Sequence, residues 1–221
     1  MSGFSGSPRV TKGYLASLDL SDPSAKMKTV AFQYNPDSLS RTITAQGVSG
    51  SSGVRTEAYR LKGPPAEKIS LDIEIDATDQ LEHPDQNPIA TSNGIYPQLS
   101  ALELMIYPPS SIVSDNESRL SSGTLEIIPP EGPFTIFGYG DKKVLPVRLT
   151  DLHITEEAHD NNLNPIRAKI SINLQVLTYA DLVSTHPGYR LSFTNQVKKE
   201  QMAASGMTNS PSGFSASLSP G

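Results

Sequence analysis

Four histidines and a row of carboxylates are the residues whose types could do chemistry here. His83, His153, His159 and His186 are scattered along the chain. A two-histidine metal site needs paired spacing on one element, as in HxH or HExxH. The stretch HITEEAH instead separates His153 from His159 by six positions, with Glu156 and Glu157 between them, so both read as solvated strand or loop residues. Asp72, Glu74 and Asp76 alternate along KISLDIEID. Carboxylate pairs such as Asp72/Glu74 or Glu156/Glu157 could serve hydrolysis of a glycan, and three carboxylates could hold a cation. A calcium loop, however, needs ligands converging around a turn with glycine at the bend, whereas on a strand these three run parallel. The outward face of a sheet, lining a lumen or an interface in an assembly, fits Asp72, Glu74 and Asp76 better. GPFTIFGYGDKK lacks the spacing of a phosphate loop, no GxSxG is present, and Ser, His and Asp form no ordered triad. No catalytic, cofactor-binding or metal-ligating residue is therefore assigned, and no cofactor. The chain reads as a non-enzymatic module that binds other proteins through outward faces and loops.

The elements that must carry these residues are mainly strands. In KISLDIEID, Ile69, Leu71, Ile73 and Ile75 fall on one face and Ser70, Asp72, Glu74 and Asp76 on the other, the period of a half-buried antiparallel strand. IRAKISINLQVL (166–177) repeats the pattern, with Ala168, Ile170, Ile172, Leu174 and Val176 opposed to Arg167, Lys169, Ser171, Asn173 and Gln175. Further strands are expected in 10–20, 27–35, 124–128, 133–140 and 143–157, with 38–47 returning as a hairpin from 27–35 around an NPDS turn. Pro146 predicts an edge position or a bulge. A helix is predicted over 96–106, with Pro97 in its first turn, Asn93 or Gly94 capping it, and Leu99, Leu102 and Ile106 on one stripe. A weaker helical pattern covers 192–205. GVSGSSGV (47–54) is a glycine–serine loop, and 77–95 reads as a polar contact loop.

Composition agrees. Of the 221 residues, 36% are hydrophobic and 19% charged, with 16 Gly and 18 Pro, which suits a loop-rich β protein better than a compact enzyme. The organisation expected is a flexible N-terminus (1–9), one β domain (10–182), a C-terminal extension (183–205) and a disordered Ser/Gly/Pro tail (206–221). A net charge of −5 argues against nucleic-acid binding. With no cysteine, disulfides and thiolate sites are excluded. MSGFSGSPRV shows no apolar secretory core, and no apolar run nears the roughly 20 residues that cross a bilayer as a helix. Cytosolic synthesis without membrane insertion is the expectation.

Five segments in order then resemble a known family: VAFQYNPDSLSRTI, LKGPPAEKISLDIEIDAT, YPQLSALELMIYP, PPEGPFTIFGYG and LPVRLTDLHITEEAHDNNLNPIRAKISINLQVL. The chain is similar to the contractile injection system tube proteins of phage-tail-like particles over about residues 10–180. The family's aromatic-x-aromatic-Asn-Pro opening is matched by Phe32, Tyr34, Asn35 and Pro36. Its Gly-Pro turn before an alternating strand is matched by Gly63 and Pro64, the glycine closing its aromatic segment by Gly138, and its P-x-R-A strand by Pro165, Arg167 and Ala168. The tryptophan usual before that glycine is Phe137 here, and the LysM module that many relatives carry at the C-terminus has no counterpart. The resemblance implies a tube-like fold, an antiparallel β-barrel or sandwich with one packed helix. It implies a structural subunit forming a homohexameric baseplate ring that joins the spike hub to the inner tube. Inner tube subunits, the spike/hub protein and baseplate wedge proteins are the implied partners, and a terminator or cap at the far end of the tube is the alternative placement. Segment 180–205 or the tail is expected to replace the LysM module.

Overall fold

The computed structural model describes residues 11–20, 26–47, 60–123 and 131–206. Its strands are β1 (Tyr14–Leu18), β2 (Lys28–Ala31), β3 (Leu39–Thr44), β4 (Ala66–Asp76), β5 (Phe134–Tyr139), β6 (Lys143–His159) and β7 (Pro165–Val176). They form one antiparallel seven-stranded sheet in the order β2-β1-β5-β6-β7-β4-β3. The helices are α1 (Thr78–Leu81), α2 (Pro88–Asn93), α3 (Tyr96–Glu103), α4 (Ser110–Ser121) and α5 (Pro187–Gly206), with a 3₁₀ turn at Pro84–Gln86. The protein is mainly β, as expected.

The core follows from the alternation. Ile69, Leu71, Ile73 and Ile75 of β4 are buried, and their register partners on β7 are Leu174, Ile172, Ile170 and Ala168, all buried too. Leu145, Val147 and Leu149 of β6, Phe137 of β5 and Leu15 of β1 extend this face. Ile95, Leu99, Leu102 and Met105, on α3 and at its ends, join the same cluster. Each fully buried aliphatic side chain contributes about 1.5–3 kcal/mol, so this one face dominates the stability of the fold.

The sheet is curled. Phe32 N–H donates to the Gly13 carbonyl at 2.8 Å, beside β1. The next residue, Gln33, bonds the main chain of Asp76 at the end of β4. In the strand order β1 and β4 lie four positions apart, which in a flat sheet is about 19 Å. Adjacent Cα atoms are 3.8 Å apart, so the sheet bends to bring these two corners together.

Several expectations need correction. The sheet bends but does not close into a barrel, and there is no second sheet to make a sandwich among the described residues. Strands β2 and β3 do not form a hairpin; they are the two opposite edges, because after Ala31 the chain crosses the mouth of the curl instead of turning back. More than one helix packs on the sheet. The 77–95 segment folds into α1, the 3₁₀ turn and α2, and α4 follows Pro109. Helix α3 ends at Glu103, with Met105 buried where Ile106 was expected, while Ile106 is 43% exposed. Pro97 does lie in its first turn, but no side chain caps it. Helix α5 begins at Pro187. Pro146 sits in an interior strand; it is tolerated because pairing with β7 starts only at Val147, and its carbonyl accepts Leu177 N–H at 2.9 Å. Segments 1–9, 47–54 and 124–128 and the tail after Gly206 lie largely or wholly outside the described residues.

Candidate assembly surfaces

The FQYN segment is built to bridge. Phe32 is buried and lies 6.5 Å from Phe137, ring centroid to centroid. A Cβ on Gly13 would come within 2.6 Å of its ring, so glycine there makes room for it. Asn35 Oδ1 accepts Gly13 N–H at 2.9 Å and its Nδ2 donates to Thr11 O at 2.9 Å, pinning the chain that leads into β1. Between them Gln33 uses both ends of its amide on Asp76: Nε2 donates to the carbonyl and Oε1 accepts the N–H, each at 2.8 Å. Tyr34 is 55% exposed and Pro36 half-buried. No pattern in the sequence singled out Gln33. Its one signal is its place between two aromatics, out of phase with the buried one.

The remaining motif residues hold the same corner and its neighbours. Pro165 starts β7, and its carbonyl accepts Ile95 N–H at 2.8 Å. Gly94 passes over that carbonyl with φ +56°, where a Cβ would meet the oxygen at 2.1 Å. The DNNLN turn before it is held by Asp160, whose Oδ1 accepts N–H bonds from Asn162 at 2.7 Å and Asn164 at 2.8 Å. The Asn164 side-chain and backbone bonds lower the Asp160 pKa. Ala168 is fully buried. Gly138 accommodates the ring of Tyr14, which a Cβ would approach to 2.2 Å. Gly63 touches nothing within 4 Å of a built Cβ, and Pro64 lines a small crevice under α5.

The polar face of β4 and β7 carries a ladder of cross-strand partners. Asp76, Glu74 and Asp72 lie opposite Arg167, Lys169 and Ser171. Arg167 Nε donates to Asp76 Oδ2 at 2.8 Å and lies 3.6 Å from Glu74. Lys169 Nζ pairs with Glu157 at 2.8 Å, which raises its pKa. Ser70 Oγ meets Asn173 Oδ1 at 2.6 Å, and Arg148 Nη2 donates to Gln175 Oε1 at 2.8 Å. Partial burial pushes the Asp76 carboxyl up. The hydroxyl and N–H of Thr78, with the guanidinium of Arg167, outweigh that and hold it below the ordinary carboxylate range. These are groups engaged in holding a sheet.

A buried carboxylate joins the last helix to the sheet. Glu67 of β4 has a side chain 4% exposed and meets Arg41 of β3 at 2.6 Å and Lys199 of α5 at 3.2 Å. Helix α5 is further seated by Asn195, whose Nδ2 bonds the Val144 carbonyl, and by Gly188 against Phe134.

The histidines are dispersed. His159 touches Glu156 at 3.2 Å, His186 meets the edge of Phe134 at 4.9 Å, and neither His83 nor His153 joins them. Among the described residues no group of three His, Cys, Asp or Glu side chains is placed to hold a metal. No described helix is long and apolar enough to cross a membrane.

No family model matches the chain, and no curated protein sequence matches it. Among solved structures it is similar to a chain from the tail of an empty GTA particle with C6 symmetry, at 15% identity and a TM-score of 0.28, over 74% of this chain and 90% of that one. It is also similar to a chain from the virion of a native gene transfer agent particle, at 12% identity and a TM-score of 0.26, over the same shares of 74% and 90%. Neither score establishes a shared fold.

Proposed function

We propose that this chain is a non-catalytic structural subunit of a phage-tail-like contractile injection particle, forming a baseplate ring that joins the spike hub to the inner tube. The observation that carries the reading is the open, curled sheet with two edges, β2 and β3, that no other strand covers among the described residues. On β3, Ser70 main-chain groups point to Ser40, so Thr42 and Thr44 also face β4 while Arg41 and Ile43 direct theirs outward. Every β3 residue after Leu39 is exposed, Ile43 by 54%. On β2, Phe32 bonds Gly13, so Thr29 and Ala31 direct their main-chain groups away from β1. Bare edges are templates for strand addition, and pairing β2 of one copy with β3 of the next is a heterologous contact that closes into a ring. Six copies, the neighbouring hub, tube and wedge proteins, and assembly in the cytoplasm follow from the family resemblance. The polar face bearing Asp72, Glu74 and Asp76 then lines the lumen or a ring contact.

Electron microscopy of the purified full chain, alone and with inner tube subunits, tests this. The wild type is expected to form closed rings. Ile43→Pro removes an outward N–H at an edge that tolerates proline and is expected to leave a folded monomer. Identical rings from the variant, or a wild type that stays monomeric with tube subunits present, contradict the reading.

A further inference from the structure

Helix α5 is turned the opposite way from an ordinary surface helix. Such a helix sets its apolar side chains against the body of the protein and its polar ones in water. α5 instead meets the sheet and its surroundings through Gly188, Asn195 and Lys199. Tyr189, Phe193 and Val197, spaced four residues apart, lie one above another on the far side, and Phe193 is 54% exposed. Arg190, Thr194 and Lys198 run beside this stripe, all exposed, and neither cation has an ion pair among the described residues. The one carboxylate of the helix, Glu200, is bonded to Gln196.

Helix α4 is the second element without a cover. It has 12 residues and buries none of them, and an isolated helix of that length is marginal in water. Val113 and Leu120, two turns apart, are 46% and 54% exposed. Asp115 and Glu117 outnumber Arg119 on it, and neither carboxylate has an ion pair among the described residues. The acidic α4 thus complements the basic flank of α5. The two helices also stand by different edges of the sheet. Pro109, which opens α4, shares a cleft with Lys28 of β2. Lys199 of α5 meets Glu67, the partner of Arg41 on β3. A joint of β2 with β3 therefore brings α4 of one copy toward α5 of the next. We infer that α4 of one copy docks on the outward stripe of α5 in its neighbour, setting Val113 and Leu120 against Phe193 and Val197, and an α4 carboxylate against Arg190 or Lys198. The inference takes its neighbour from the ring reading and adds a second contact to it.

Disulfide trapping of the full chain tests it, since the chain has no cysteine of its own. Chains carrying Phe193→Cys are mixed with chains carrying Val113→Cys or Leu120→Cys and mildly oxidised, and electron microscopy of the same samples reads closed rings. In at least one mixture a disulfide between the two kinds of chain is expected to form about tenfold faster than between chains of one kind. Arg190→Glu with Lys198→Glu in the first chain should slow it about tenfold, and Asp115→Lys with Glu117→Lys in the second should restore the rate. Closed rings without this disulfide overturn the inference and leave the ring reading standing. The disulfide without closed rings supports the contact and overturns the ring reading. A disulfide rate indifferent to both charge reversals, or one abolished by added inner tube subunits, also overturns the inference.

Discussion

Gln33 stands in for one residue of a missing strand: its side-chain amide makes with Asp76 the same pair of hydrogen bonds that a neighbouring backbone would make. The contact fixes the crossing segment to the end of β4 while Phe32 is buried beside β1, and so it holds the curl of the sheet. Gln33→Ala removes both bonds and is expected to cost about 1–2 kcal/mol, measured by urea denaturation, with faster exchange at the Asp76 amide. Gln33→Glu keeps the acceptor for the N–H but faces the Asp76 carbonyl with a carboxylate, and should be at least as damaging. Unchanged stability in both variants would remove this contact from the account.

Asp76 gives the fold a pH dependence of known sign. Its pKa is lower in the folded than in the unfolded chain, so the folded state binds fewer protons at this site. The stability it contributes is complete above the unfolded value of about 3.9 and is lost as pH falls through the folded value. Asp76→Asn is therefore expected to destabilise by about 1–2 kcal/mol at pH 7. The gap between variant and wild type should close in acid below about pH 4. Thermal unfolding followed from pH 3 to 7 checks this, and a gap constant across that range would refute it.

Glu67 is the keystone of α5. It is nearly fully buried, whereas its partners Arg41 and Lys199 are 30% and 46% exposed. Removing Lys199 leaves the carboxylate still paired with Arg41, so Lys199→Ala should cost at most about 1 kcal/mol. Glu67→Ala strips both cations and opens a cavity, and about 2–3 kcal/mol is expected, discounted from a fully buried pair because the cations reach solvent. The double variant should cost less than the sum, since the two share one contact. Limited proteolysis within 187–206 reports whether the helix has left the sheet. Equal costs for the two single variants would argue against Glu67 as the anchor.

How far the sequence reaches is clear from particular elements. β4 and β7 were legible because both bury one face and solvate the other, so side chains alternate without exception from Ile69 to Asp76. Strand pairing at the edges was not. β2 and β3 flank an Asn-Pro turn and read as a hairpin, and only the curl, a property of the whole sheet, sends them to opposite edges. Helix α4 left no trace, since SSIVSDNESRLS buries no residue and so carries no periodic stripe. Motif residues of the family resemblance are mostly explained as geometry. Phe32, Asn35 and Gly138 fill the β1–β5 corner, and Pro165, Arg167 and Ala168 join β7 to α3 and β4. The acidic row was legible as an outward face, because its alternation with Ile69 to Ile75 is a property of one strand.

The central claim concerns position in a particle. Cryo-electron microscopy of phage-tail-like particles assembled with this chain, compared with particles from a strain lacking it, tests that most directly. The account predicts a ring of this chain between the spike hub and the first tube layer, with β2 of each copy paired to β3 of the next, and no joined hub and tube without it. Intact particles in its absence, or density for it only at the far end of the tube, would contradict the account.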